Sequence, residues 1–141
     1  MFVIFEGLDK AGKGTLEWEF LKATNFKHVV IDRGPAGYYV FDNIFNRSTL
    51  EGDIEFIKNA GVAMSTNSFM VVYCKVPADV ALKRIEEHNE TCPYNYSKVQ
   101  DLYDFCINTM YDKEKVVVID TTKSIEECVS EIIKKLEVLK R

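Results

Sequence analysis

Two glycines separated by four residues, then a lysine and a nearby threonine, occupy the stretch Gly7-Leu8-Asp9-Lys10-Ala11-Gly12-Lys13-Gly14-Thr15. Residues of these types at this spacing suit a polyphosphate. Its oxygens need several N–H donors converging on one point, and glycines at both ends of a loop let the backbone turn inward to supply them. A helix that opens at Lys13 adds free N–H groups and the positive end of a dipole. Lys13 reaches the β- and γ-phosphates, and Thr15 with its neighbourhood helps to hold magnesium. The strict motif has Ser or Thr directly after the lysine. Here Gly14 stands there and Thr15 comes one later. A bare match of this kind also occurs in ordinary glycine turns. The apolar run before it and the helical pattern after it are the context that gives it weight.

Asp32-Arg33 is the second feature, at the end of the apolar run 28–32. Arg33 can grip an acceptor phosphate or the transferred group with two parallel hydrogen bonds. Asp32 can orient the acceptor or a water on magnesium. A strand-end salt bridge or a helix cap is the plainer alternative. Asp9, inside the loop, suits an acceptor hydroxyl or magnesium water; it equally suits a turn residue bonded to its own backbone. Glu6 ends the first apolar run, where a carboxylate is costly unless paired. Lys83 and Arg84 lead into the polar segment His88-Asn89-Glu90. An arginine there could close over a transferring phosphate as part of a lid; a solvated charged face is the alternative. Thr121 to Lys123 follow the last strand, where a donor adenine can lie against backbone. The loop residues Gly7, Lys10, Ala11, Gly12 and Gly14 complete the expected nucleotide contacts. Tyr38, Tyr39, Phe41 and Phe45 are expected to be mostly core, with one or two free to stack on a base.

These residues need elements to place them. Residues 2–6, 28–32, 69–76 and 116–120 are short, continuous apolar runs of the kind found in buried parallel strands. Helical patterns cover 13–24, 36–47, 53–66, the stretch from Pro77 to about 85, 99–110 and 125–139. Their expected inner faces include Leu16, Phe20, Leu21 and Thr24, with Trp18 at the flank, then Ile54, Ile57, Ala60 and Gly61. Val80, Ala81, Leu82 and Ile85 follow, and then Leu102, Tyr103, Cys106 and Met110. Ser124 and Glu127 form a capping pair ahead of the last helix. Alternating strands and helices predict an α/β, doubly wound parallel sheet. The loops at the carboxyl ends of its strands should form the site.

At 141 residues the chain fits one domain over 1–141, with a short lid around 84–95. A formal net charge of −4 argues against broad nucleic-acid binding, since that needs a basic surface. It leaves room for a small anion held by one loop and a few arginines. Cys74, Cys92, Cys106 and Cys128 match neither a zinc site nor a short redox pair, and are expected as reduced, apolar fillers. No stretch is long enough to span a bilayer. The expectation is a soluble, cytoplasmic protein with no membrane partner.

The stretch from Phe2 to Thr15 resembles the start of thymidylate kinases, and Asp32-Arg33 resembles their Asp-Arg motif. Val72 to Ile85 resembles the strand, turn and helix leading into the lid of thymidylate and deoxynucleoside kinases. The resemblance implies a three-layer α/β/α P-loop kinase fold with a small parallel sheet of about four strands. It implies ATP and Mg2+ at Lys13 and Thr15, with Asp32 on the metal side. Phosphate falls to Arg33, the acceptor side to Asp9, and the lid arginine to Arg84. The sequence departs from the family in length and in one element. The first helix runs almost directly into the Asp32-Arg33 strand. The strand expected between them, with its Glu-Pro or Arg-Glu-Pro run, is absent. The donor half is therefore kept and the acceptor half reduced. The leading expectation is transfer of the ATP γ-phosphoryl group to a (deoxy)nucleoside monophosphate. A deoxynucleoside kinase or a polynucleotide 5′-hydroxyl kinase is the alternative, and a non-catalytic nucleotide-binding protein is another. An exposed stripe on the helices of 36–66 offers a surface for a homodimer.

Overall fold

The computed structural model describes residues 1–47, 50–66 and 68–140. Four strands, β1 (Phe2–Glu6), β2 (Val29–Asp32), β3 (Phe69–Lys75) and β4 (Val116–Asp120), form one parallel sheet in the order β2-β1-β3-β4. The two central strands are the most continuously apolar, because both of their faces are covered. The register pairs Phe5 with Asp32, Glu6 with Tyr73 and Lys75 with Asp120. The carboxyl ends of all four strands therefore reach one rim, as the α/β expectation requires.

Successive strand side chains point to opposite faces, which divides the core in two. Val3 and Phe5 pack with Leu16 and Phe20 of α1 (Lys13–Ala23) and with Ile132 and Leu136 of α6 (Ile125–Lys140). Phe5 and Phe20 meet at 5.9 Å between ring centroids and are fully buried. Each contributes on the order of 1.5–3 kcal/mol by leaving water. On the other face, Ile4, Val71 and Tyr73 pack against α2 (Pro35–Ile44), α4 (Ala78–Glu87) and α5 (Tyr96–Met110). The helix α3 (Leu50–Thr66) lies outside α2.

Several helices differ from expectation. α3 starts at Leu50, earlier than residue 53, and runs through Gly61. Its inward residues are Phe56, Ala60 and Met64, whereas Ile54 and Ile57 are exposed. The helix is apolar on more than one side, so periodicity does not fix its rotation. A stack of Phe56 on Tyr38, 4.5 Å between centroids, does. In α2 the buried positions are Ala36, Gly37, Val40 and Asp42, while Tyr38 and Phe45 are exposed. The close approach explains this: a Cβ on Gly37 would lie 2.5 Å from the Tyr103 hydroxyl, so only small residues face inward there. Leu82 also points outward. α5 begins at Tyr96, where the Asn95 side chain accepts from the Lys98 N–H at 3.2 Å. α1 passes through residues 24–28 into β2, which pairs directly with β1 as the sheet edge. No strand lies between them. Among the described residues no helix is long and apolar enough to cross a membrane.

Candidate active site

The loop between β1 and α1 is held open by what surrounds it. Gly7 has φ +148°, and a Cβ there would lie 2.7 Å from the Cys74 carbonyl oxygen. Gly12, at φ +80°, caps α1 without a side chain. The first-turn N–H groups therefore gain no side-chain acceptor and are left for an anion. The Thr121 hydroxyl donates to the Ala11 carbonyl at 2.6 Å, tying the loop to the end of β4. Thr121 thus meets the loop with its hydroxyl already committed to it.

Glu6, beneath this loop, is fully buried and takes four hydrogen bonds. The Tyr103 and Tyr111 hydroxyls donate to it at 2.7 Å each, and the Gly34 and Gly37 N–H groups donate at 3.0 and 3.1 Å. Each tyrosine oxygen in turn accepts a backbone N–H, from Gly7 and Ala36 respectively. Burial raises the Glu6 carboxyl above its usual range, against hydrogen bonds that favour the ionised form. With no face open to a ligand, Glu6 anchors the turn that carries Arg33.

That turn is unusual in backbone. Arg33 has φ 61°, and its N–H donates to the Phe5 carbonyl at 2.8 Å. A left-handed arginine carries a conformational cost that the surrounding bonds must sustain. Its guanidinium donates to Asp9 Oδ1 at 2.8 Å and to the Gly7 carbonyl at 3.3 Å, and lies 4.3 Å over the Phe41 ring. The Tyr94 hydroxyl donates to Asp9 Oδ2 at 3.2 Å, and the Tyr96 hydroxyl to the Asp9 carbonyl at 3.0 Å.

Lys13 and Asp32 form an ion pair across the rim. Burial opposes ionisation of Asp32, but the Lys13 hydrogen bond and charge override it and hold the carboxyl below its ordinary range. Glu17, one helical turn beyond Lys13, stands beside Asp32. Burial, and then the Asp32 charge, pushes Glu17 up to about 7. Its Oε1 is buried with no hydrogen-bond partner. Burial also pushes Cys74 up to about 12 and Cys106 up to about 11, so neither is a thiolate near neutrality.

Residues of α4 and the segment after it reach the loop from the other side. Arg84 donates to the Lys10 carbonyl at 2.9 Å and to the Thr121 carbonyl at 3.4 Å. Lys10 pairs with Glu90 at 3.2 Å. A cavity of about 400 Å³ lies here, lined by Lys10, Gly12, Thr15, Arg84, His88, Thr121 and Lys123. A second cavity, of about 420 Å³, is lined by Asp9, Asp32, Arg33, Phe41, Asp42, Phe45, Arg47 and Tyr94. The phosphate loop and the Lys13–Asp32 pair separate the two. A third cavity, about 310 Å³ beside β4, lies away from the loop, and its Lys75 and Asp104 neutralise each other at 3.0 Å.

For magnesium, the rim offers oxygen donors. Among the described residues no three His, Cys, Asp or Glu gather as a metal cluster. Mg2+ beside a nucleotide needs only one or two carboxylates, with phosphate and water completing its shell. Asp32 and the unpartnered oxygen of Glu17 fit that requirement, and Thr15 stands on the neighbouring donor-cavity wall.

No protein-family model matches the sequence, and no curated protein matches it. Solved structures do. A deoxyadenosine kinase from M. mycoides with bound dCTP superposes with TM-score 0.71 at 13% identity, covering 98% of this chain and 100% of that one. The YorR protein of Bacillus subtilis, in complex with phosphorylated GDP, gives TM-score 0.74 at 19% identity, covering 98% and 96%. An unliganded sugar kinase from Janibacter sp. HTCC2649 gives 0.56 at 13%, covering 96% and 94%. The chain shares its fold, a small parallel sheet flanked by helices, with these deoxynucleoside and sugar kinases.

The structure thus brings Lys13 to Asp32, Arg33 to Asp9, and Arg84 to Lys10 and Thr121. Tyr103, Tyr111, Tyr94, Tyr96 and Glu17 escape sequence reasoning. Tyr103 and Tyr111 recur at an interval near two helical turns, and both donate to a buried Glu6 that needs partners. That spacing was a readable signal.

Proposed function

We propose that this protein transfers the γ-phosphoryl group of ATP to the 5′-hydroxyl of a deoxynucleoside. Three carboxylates facing one cavity beside two arginines carry this conclusion. Asp9, Asp32 and Asp42 line the acceptor-side cavity against only Arg33 and Arg47. Arg33 is already matched by Asp9. A neutral hydroxyl compound meets less repulsion there than a dianionic monophosphate, so the nucleoside displaces the monophosphate as the favoured acceptor. Solved structures of deoxyadenosine kinase among those with this fold point the same way.

The donor takes the cavity at Arg84, Thr121 and Lys123, with its phosphates on the loop from Gly7 to Thr15. Lys13 leaves Asp32 for the β- and γ-oxygens, where positive charge stabilises the transition state. Arg84, already seated on the loop carbonyls, closes the lid over 84–95 and excludes water. Magnesium, when bound on the Asp32 side, neutralises charge on the phosphate oxygens. Phe41 and Phe45 offer ring faces to the acceptor base, and Arg33 steadies the group in transfer. Asp9 accepts the hydroxyl proton: Arg33 and Tyr94 orient it, and its oxygens retain free lone pairs. Glu6, fully buried, takes no part in proton transfer.

The test is product chromatography after incubation with ATP and magnesium. The panel holds deoxynucleosides, their monophosphates and a 5′-hydroxyl oligonucleotide. Formation of a deoxynucleoside monophosphate is expected. Turnover confined to monophosphates restores a thymidylate kinase-like activity and overturns the nucleoside assignment. Arg33→Ala should lower kcat by about a hundredfold while ATP affinity changes little; unchanged kcat would remove Arg33 from the transfer.

A further inference from the structure

Asp42 lines the acceptor-side cavity from α2, with Tyr38, Phe41 and Phe45 at helical spacing beside it. Only 7% of it is exposed. Among the described residues no group hydrogen-bonds to its carboxylate and no cation pairs with it. The other buried carboxylate, Glu6, is filled by two tyrosines and two backbone N–H groups. A buried carboxylate without a partner is costly, so the oxygens of Asp42 call for one that arrives through the cavity. Arg47 lines the same cavity and stays apart from Asp42. At the end of α2, Asn46 has φ 50° and its N–H donates to the Asn43 carbonyl at 3.4 Å. The Arg47 N–H donates to the Asp42 carbonyl at 3.0 Å. This left-handed stop turns the chain back at the helix end, and the Arg47 guanidinium rests 4.9 Å over the Phe45 ring. Acceptor oxygens and a fork of donors thus line one cavity without meeting.

An ionised carboxylate only accepts hydrogen bonds. The bases differ in what their edges offer it. Guanine presents two adjacent donors, N1–H and the 2-amino group, which match two carboxylate oxygens. Adenine and cytosine each present one amino group beside a ring nitrogen that is itself an acceptor. Thymine presents one N–H between two carbonyls. We propose that Asp42 selects guanine as the acceptor base, accepting from N1–H and the 2-amino group, with Arg47 as the donor to O6; this rests on the nucleoside-acceptor reading above.

Calorimetric titration of deoxynucleosides without ATP reads base selection apart from turnover. The parent is expected to bind deoxyguanosine at least about tenfold more tightly than deoxyinosine, which lacks only the 2-amino group. Thymidine should bind more weakly still. Asp42→Asn replaces one acceptor by a donor, and its amide matches the donor–acceptor edge of adenine. The variant should lose at least about tenfold in deoxyguanosine affinity and gain affinity for deoxyadenosine. Asp42→Ala should show the loss without the gain. If Asp42→Asn does not fold, as judged by its thermal melt, the ratio of deoxyguanosine to deoxyinosine affinity in the parent decides alone. Equal affinity of the parent for these two overturns the proposal. So does an Asp42→Asn protein that keeps the parent's preference. Either result, alongside ATP-dependent phosphorylation of any deoxynucleoside, overturns guanine selection and leaves the kinase function standing. Guanine-selective binding with no phosphoryl transfer supports the base site and overturns the kinase function. Neither binding nor transfer overturns both.

Discussion

Lys13 is committed twice. In the free protein it neutralises Asp32, with only 10% of its side chain exposed. In the proposed reaction its ammonium turns to the phosphates. Lys13→Ala should therefore lower phosphoryl transfer by at least about a hundredfold, read as ADP release. The fold should survive, because the residue contributes charge at a rim and little core. A collapsed circular dichroism spectrum would show that the Asp32 pair is structural. The chemical types around Lys13 were legible from sequence: a loop lysine, a strand-end Asp-Arg and an arginine before a polar segment. Their pairings were not. Asp9 binds Arg33, and Asp32 binds Lys13, through distances that no local pattern encodes.

At the scale of elements, the polar knot at Glu6 decides where β2 and α2 sit. It joins β1, the Arg33 turn, the start of α2, and the middle and C-terminal end of α5 through a set of hydrogen bonds. All four groups aimed at Glu6 are donors. An amide there would present its own N–H groups to some of them. Glu6→Gln should accordingly destabilise the protein by about 2–4 kcal/mol, seen as a lower urea midpoint. Equal stability would mean that the carboxyl is already protonated and donating. α2 and α3 show the limit of periodicity. Both carry apolar residues around much of their circumference, so a helical wheel offers several inner faces. Close approach to Tyr103 selects the small residues of α2, and the Tyr38–Phe56 stack selects the face of α3.

For the molecule as a whole, the histidine at the entry to β2 supplies a pH dependence. His28 stacks on Phe20 at 5.9 Å, and its Nδ1 is buried without a partner. Burial, followed by the charges of Lys140 and Lys27, holds it below its usual value near 6.5. The unfolded chain then binds a proton that the native state refuses. Stability from this group is present above about pH 6.5 and is lost as pH falls towards the native value. Urea midpoints between about pH 7.5 and 5.5 should fall more in the parent than in His28→Gln; parallel slopes would exclude His28 as the source.

The sequence by itself determined the strand and helix order, the parallel sheet and the glycine loop between β1 and α1. Each of these follows from local spacing: apolar runs of strand length, glycines at fixed intervals, and a lysine at a helix start. Only the tertiary structure decided that Glu6 is an anchor, that Asp9 and Asp32 answer different cations, and that Glu17 stands at the ion pair. Those outcomes depend on residues that are distant along the chain. Glu6 and Tyr111 meet only because the sheet register and the packing of α5 bring them within a hydrogen bond.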